Sequence, residues 1–320
     1  MSIVADQLRP FWLSSLNEVA GNLDFGLAEW VRRGTFQITS EIQPDKFVLN
    51  IPQGNLALQR AFAFDAARMG MAAFESVGDL NQHPAMPKSL GWPIIKTYYA
   101  TFFAAHALLR MFGIGLTQFN FEQISVVSKT AAIYSGQGEQ KLAKGLYACI
   151  FSPQSGELIC DYVGAQRGSH ELLWKYFVNA ISDFSTQMLE TGASIKQQQA
   201  AIKLVELCKT LKHGGKNDGS WLSHVRNDAN YKHEYGVWFP YSARSRYYSE
   251  LEAHQNDWRQ NPEDISIWSG PGKELRRFID ACNVILSVLN VTAIDMSKRC
   301  PVGKSFHHNT TLAVLNFLNK

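Results

Sequence analysis

Charge of either sign is scarce in this chain, and so are cysteines and long apolar runs. Lys and Arg total 31 against 28 Asp and Glu, giving a net charge of +3 and only 18% charged residues. That balance creates no field strong enough to name a partner, so any nucleic-acid contact must come from local clustering. The five cysteines, Cys149, Cys160, Cys208, Cys282 and Cys300, are odd in number and widely spaced, with no CxxC pair. This excludes a regular disulfide framework and a cysteine zinc site, and the thiols read as reduced ones in a cytoplasmic protein. The opening residues, MSIVADQLRPFW, carry no basic segment followed by an apolar one, so no secretory signal is expected. The most apolar stretches are 97–109, bounded by Lys96 and Arg110, and 281–294, bounded by Asp280 and Asp295. Both read as too short to span a bilayer, and no membrane association is expected.

Several chemistries lack their residues. Gly303-Lys304-Ser305 has no upstream glycine to complete a phosphate loop, and no GxGxxG follows a strand-like run. ATP hydrolysis and dinucleotide redox chemistry are therefore not expected. His307-His308 has no acidic or cysteine partner at ligand spacing, so neither a metal nor another cofactor is expected. Cys149, Asp161 and His170 have no surrounding pattern that would make them a nucleophile set.

What remains is an apolar content of 46%, enough for a sizeable core, arranged mostly with helical periodicity. Residues 56–77 are rich in Ala, Leu and Phe, interrupted only by Gly70. Residues 96–112 read as the most buried helix, stopped by Gly113 and Gly115. The stripe Leu172, Leu173, Tyr176, Phe177, Ala180, Ile181, Phe184 and Met188 predicts an amphipathic helix starting from Ser169. Ser194 and Gln197 form a capping box for a helix to about Lys212. Ser220 is placed to cap a short helix leading into Arg226, and Pro271 sits at the first turn of a long last helix. The exception is 35–51, where two β-prone runs flank Gln43-Pro44-Asp45-Lys46 and predict a small hairpin. Residues 238–245 read as an irregular connection. The sequence thus predicts a mainly all-α protein: an amino-terminal helical region over 1–90 with the hairpin, a helical domain over 91–300 and a tail helix in 301–320. Prolines and a glycine interrupt the pattern near 82–92, so the first 90 residues are expected either as a separate domain or as a helical layer packed on the same core.

The chemistry concentrates in residues 224–235, His-Val-Arg-Asn-Asp-Ala-Asn-Tyr-Lys-His-Glu-Tyr. Arg226 is followed at once by Asn227, His233 lies two helical turns further on, and Tyr235 follows it. Metal-free RNA cleavage needs a group that takes the proton of a ribose 2′-hydroxyl and one that stabilises charge on the phosphoryl oxygens. Histidine titrates near neutral pH and suits the first role. Arginine offers a permanently charged planar fork for the second. Between 200 and 233, Lys203, Lys209, Lys212, Lys216, Arg226 and Lys232 outnumber Glu206, Asp218 and Asp228, and Arg244 and Arg246 follow. That clustering suits a phosphate-bearing ligand. The bland reading makes Arg226 an ion-pair partner of Asp228 or Glu234, His233 a surface or capping residue, and Tyr98, Tyr99 and His106 core residues.

This segment resembles the HEPN domain family, whose motif is an arginine, usually followed by a polar residue, with a histidine a few residues on. Arg226-Asn227 and His233 match at the longest spacing the motif permits, and a tyrosine in the place of Tyr235 is frequent in one branch. The helix TYYATFFAAHALL at 97–109 is similar to the first core helix of such domains. The resemblance covers roughly 96–297, leaving 1–90 and the tail outside. It implies a HEPN-like helical bundle, a homodimer with a composite site, and a metal-independent endoribonuclease acting on RNA, tRNA included. It further implies a toxin or abortive-infection effector against phage, held by an antitoxin or nucleotidyltransferase partner. In those terms His233 is the general acid or base, Arg226 the phosphate stabiliser and Asn227 the support. Lys216, Lys232, Tyr235 and Arg244 become substrate contacts, with Tyr235 alternatively the site of nucleotide attachment. The competing expectation is a catalytically inactive HEPN-like module for nucleic-acid or nucleotide binding and protein assembly.

Overall fold

The computed structural model describes residues 2–40, 42–52, 56–78, 90–135, 140–164, 169–191, 194–238 and 246–318. Helix accounts for 62% of the chain, yet the all-α expectation fails: a four-stranded antiparallel sheet makes the fold mixed α/β. Its strands are β1 (Lys46–Asn50), β2 (Ile114–Phe119), β3 (Gly145–Ser152) and β4 (Glu157–Tyr162), in the order β1-β4-β3-β2. β3 and β4 form a hairpin in which Gly156 supplies the left-handed turn residue at φ 67°. β3, GLYACIFS, is a short, mostly apolar run of the kind that periodicity alone cannot distinguish from a piece of buried helix, and β1, β2 and β4 carry only three or four apolar residues each. Register sets Cys149 directly opposite Cys160, with the sulfurs 3.5 Å apart as free thiols. Two cysteines that look isolated in the sequence therefore meet across the sheet.

The hairpin expected over 35–51 forms only in part. Gln43 and Lys46 exchange backbone hydrogen bonds in a tight turn, and Gln37 bridges Asn50. The full ladder of β1 is made with β4, where Phe47 lies opposite Cys160. The reason is burial: the Phe47 ring packs 5.3 Å from Tyr147 of β3, and both are almost wholly enclosed. A local hairpin alone would leave that ring exposed.

Around the sheet stand α1 (Ile3–Leu8), α2 (Leu27–Arg33), α3 (Ala57–Gly78), α4 (Gly91–Met111), α5 (Phe121–Ser135) and α6 (Ser169–Thr191). They are followed by α7 (Ile195–Leu211), α8 (Trp221–Tyr231), α9 (Arg246–His254), α10 (Glu274–Lys298) and the tail helix α11 (Thr311–Leu318). α4 is the central element, packed against α3, α6, α8 and α10. Small residues on α3, among them Ala63, Ala66, Ala67 and Ala73, are fully or almost fully buried and let it approach α4 closely. The capping box at the start of α7 is present: Gln197 N–H donates to Ser194 Oγ at 3.2 Å, and Gln197 Oε1 accepts from Ser194 N–H.

The first 90 residues share the core of the remainder. β1 completes the sheet, α1 packs on α7 and α10, and α3 lies along α4. Residues 79–89, which hold most of the expected boundary, lie outside the described residues. α10 extends past the 281–294 stretch at both ends and, by length and composition, could cross a membrane, but 83% of its most apolar window is buried inside the protein. Its carboxylates are paired: Asp280 accepts from Trp268 N–H and Arg276, and Asp295 from Arg9 and Arg299.

Candidate functional site

α8 carries the sequence motif, and its entry is set by glycine. Gly219 has φ 79°, and a Cβ there would lie 2.4 Å from a methyl of Val178 on α6. Ser220 precedes the helix but does not cap it: its hydroxyl bonds Asp218 Oδ1 at 2.7 Å and leaves the first N–H groups without a side-chain acceptor. The short Asx-type turn competes successfully with the cap.

Arg226 is half-buried and points at α4. Its guanidinium carbon stands 5.0 Å from the Tyr98 ring centre and 5.8 Å from that of Tyr99. Neither Asp228 nor Glu234 forms an ion pair with it, and its Nε is buried without a hydrogen-bond partner among the described residues. The cation stands over aromatic faces and within hydrogen-bonding reach of the Tyr98 hydroxyl, with no carboxylate paired to it among the described residues. Tyr98 is fully buried, and its hydroxyl is a junction. Trp174 Nε1–H of α6 donates to it at 3.2 Å, Ser223 Oγ of α8 lies at 2.8 Å and His170 Nδ1 of α6 at 2.7 Å. The His170 ring also lies 4.3 Å from that of Phe102, so its orientation is fixed from two sides. Burial, followed by the positive charge of Arg226, pushes the imidazole pKa below the ordinary histidine value, leaving it neutral at pH 7.

The other motif residues lie elsewhere. α8 ends at Tyr231, and His233 is exposed in the left-handed conformation, φ 57°, that glycine usually supplies after a helix. Asp228 C=O holds this turn by accepting from the N–H groups of Lys232 at 3.2 Å and Glu234 at 3.1 Å. The helix thus ends two residues before the histidine. Lys232 is exposed and paired with Asp228 at 2.7 Å. Asn227 is half-buried on α8 next to Arg226, and Lys216 lies in the connection before α8, near enough to His224 to lower its pKa after burial. Arg244 lies outside the described residues. Trp238 closes the segment by packing against Gly91 at the start of α4, where a Cβ would come within 2.6 Å of the indole.

Tyr235 faces a different place, a surface depression of about 560 Å³ shared with His213, Glu274, Arg277 and the loop 269–272. Arg277 donates to Gly270 C=O at 2.8 Å and to His213 Nε2 at 2.7 Å, which assigns the lone pair of that imidazole to Nε2. Burial, then Glu274 and Asp228, push the Tyr235 phenol well above its ordinary value.

The structure therefore brings Arg226 together with Tyr98, Tyr99 and His170, while His233 is exposed in the turn beyond α8 and Tyr235 lines the depression with His213, Glu274 and Arg277. Sequence reading named Tyr98 and Tyr99 only as core and rim, and His170 only within a discarded nucleophile set. No spacing rule links His170 to Arg226, because the two meet through α4, which neither belongs to. The one available signal was a histidine at the second position of a predicted helix, off its apolar stripe. Comparison with protein-family models, with curated proteins and with solved structures gave no match.

Proposed function

We propose that this protein is a metal-independent endoribonuclease of HEPN type, in which Arg226 binds the phosphoryl oxygens of the scissile bond. The observation that carries this reading is the state of Arg226: half-buried, unpaired with any carboxylate among the described residues, and with Nε lacking a partner. An arginine used for structure alone normally satisfies its fork with a carboxylate or backbone carbonyls. An arginine resting on two tyrosine rings presents its remaining donors to an arriving phosphate. His233, exposed on the turn beyond α8, would carry a proton, and Asn227 would orient the sugar. Lys216 and Lys232 would add to the basic surface, and RNA, tRNA among it, would be the substrate. Acting as a cytoplasmic toxin or anti-phage effector, as a homodimer and under an antitoxin partner, follows from the family resemblance within this proposal.

The test is incubation of wild type, Arg226→Ala and His233→Ala with total RNA and tRNA in EDTA, with mapping of fragment ends. Wild type should leave 2′,3′-cyclic phosphate or its 3′-phosphate hydrolysis product, and Arg226→Ala should lose about a hundredfold or more of the rate. Undiminished cleavage by Arg226→Ala sinks the assignment.

A second reading, an inactive module binding nucleotide or nucleic acid, is favoured by the depression lined by His213, Tyr235 and Arg277. Binding of a nucleotide lost on Arg277→Ala, with no RNA cleavage by wild type, would establish it instead.

A further inference from the structure

Transesterification of RNA moves two protons, one off the 2′-hydroxyl and one onto the departing 5′-oxygen, and a single exposed histidine accounts for only one of them. We propose that His170 is a catalytic residue of this centre, the general base that takes the 2′-hydroxyl proton while Arg226 holds the phosphate. The proposal rests on the nuclease reading and deepens it.

Three observations converge on His170. First, it shares one aromatic platform with Arg226: its ring centre lies 5.7 Å from that of Tyr98, and the Arg226 guanidinium carbon lies 5.0 Å from the same centre. A phosphodiester seated on the guanidinium would have its ribose beside the imidazole. Secondly, the ring is fixed. In the tautomer that leaves the Nε2 lone pair free, Nδ1–H donates to the Tyr98 hydroxyl oxygen, which also accepts from Trp174 Nε1–H and donates to Ser223 Oγ, and Phe102 supports one face. Nε2 is the ring nitrogen without a partner among the described residues, and the residue is half exposed. Thirdly, the ring orients through a phenol rather than a carboxylate, and the nearest full charge is positive. Burial and that charge keep the imidazole unprotonated at neutral pH, the form a base requires. His106, deeper along α4, is also held neutral, so it adds no charge opposing this state.

The step balances without a redox partner or metal. The 2′-oxygen forms a bond to phosphorus as the bond from phosphorus to the 5′-oxygen breaks, and the electron pair stays with that oxygen. The 2′-hydroxyl proton goes to His170 Nε2, and the 5′-oxygen receives a proton from the acid or from water. The products are a 2′,3′-cyclic phosphate and a 5′-hydroxyl.

The experiment compares wild type, His170→Ala, His170→Asn and Arg226→Lys on total RNA in EDTA, together with binding of an uncleavable 2′-O-methyl oligonucleotide. His170→Ala should lose about a hundredfold or more in cleavage rate while binding the oligonucleotide within about twofold of wild type. Added imidazole should restore part of the rate to His170→Ala, a rescue that a merely structural histidine would not show. His170→Asn keeps a polar atom near the Nδ1 position against Tyr98, serves where the alanine variant fails to fold, and should be equally inactive. Wild-type rates in both His170 variants, with Arg226→Lys inactive, overturn the base assignment and leave the nuclease reading standing. Loss of oligonucleotide binding in both, without rescue, makes His170 structural and also overturns it. A wild type that cleaves no RNA overturns the nuclease reading and the assignment with it.

Discussion

A single phenolic oxygen orders much of the candidate centre, since Tyr98 Oη meets groups from α6 and α8 while its own helix is α4. Tyr98→Phe keeps the ring under Arg226 but strips the partner from a buried indole N–H, a serine hydroxyl and His170 Nδ1. The expected cost is about 1–3 kcal/mol in urea unfolding, and the freed imidazole should slow any RNA cleavage. The opposite case is His233, whose left-handed backbone is a strain of about 1 kcal/mol that glycine does not bear. His233→Gly should therefore hold stability within about 1 kcal/mol of wild type while removing the imidazole; a loss well beyond that would show that the ring makes a contact of its own. His307 gives a third residue-scale prediction. It is completely buried, both ring nitrogens lack a partner among the described residues, and burial pushes its pKa down to about 3 from 6.5. Below pH 6.5 the unfolded chain binds a proton that the folded one refuses. Stability then falls by about 1.4 kcal/mol per pH unit as the pH drops towards 3. Comparing urea midpoints of wild type and His307→Leu between pH 7 and 4 checks this, since the variant should lose that part of the slope.

At the scale of elements, the longest helices were legible because their signals are local. The stripe of α6, the glycine stop after α4 and the capping box of α7 each depend on residues a few positions apart. Ser194→Ala should cost about 1 kcal/mol in thermal or urea unfolding, as loss of that box implies. β2, β3 and β4 were not legible, because a segment of six to eight residues becomes a strand only when a ladder partner exists. Phe47 shows this most plainly: the local turn was read correctly, but its strand pairs with residues 157–161, far beyond any window. The Ser220 cap failed for a smaller reason, a nearer acceptor in Asp218. The site divides in the same way. Arg226 was found from its neighbours in sequence, whereas His170 becomes visible only once α4 and α6 are packed.

Across the whole molecule, the two ends of the chain are tied by carboxylates. Ser2 Oγ and Ile3 N–H donate to Glu263 at 2.8 and 2.6 Å, and Arg9 donates to Asp295 of α10, whose side chain is only 6% exposed. Arg9→Ala would leave that carboxylate to Arg299 alone. The expected loss is about 1–3 kcal/mol, less than for a fully enclosed pair because the Arg9 side chain is 25% exposed. Calorimetry of that variant should still show one transition, since α1, β1 and α3 are built into the same core as α10; a separate low-temperature transition would indicate an amino-terminal unit that melts by itself.

The same ties set an order in time. A ribosome delivers α1 long before the acceptors that hold it, Glu263 and Asp295, which lie more than 250 residues further along the chain. During synthesis α1 can meet α7 before these carboxylates exist, and contacts of such sequence separation are slow to form. α1 therefore settles late, gaining its last ties only after the segments that carry Glu263 and Asp295 have been made.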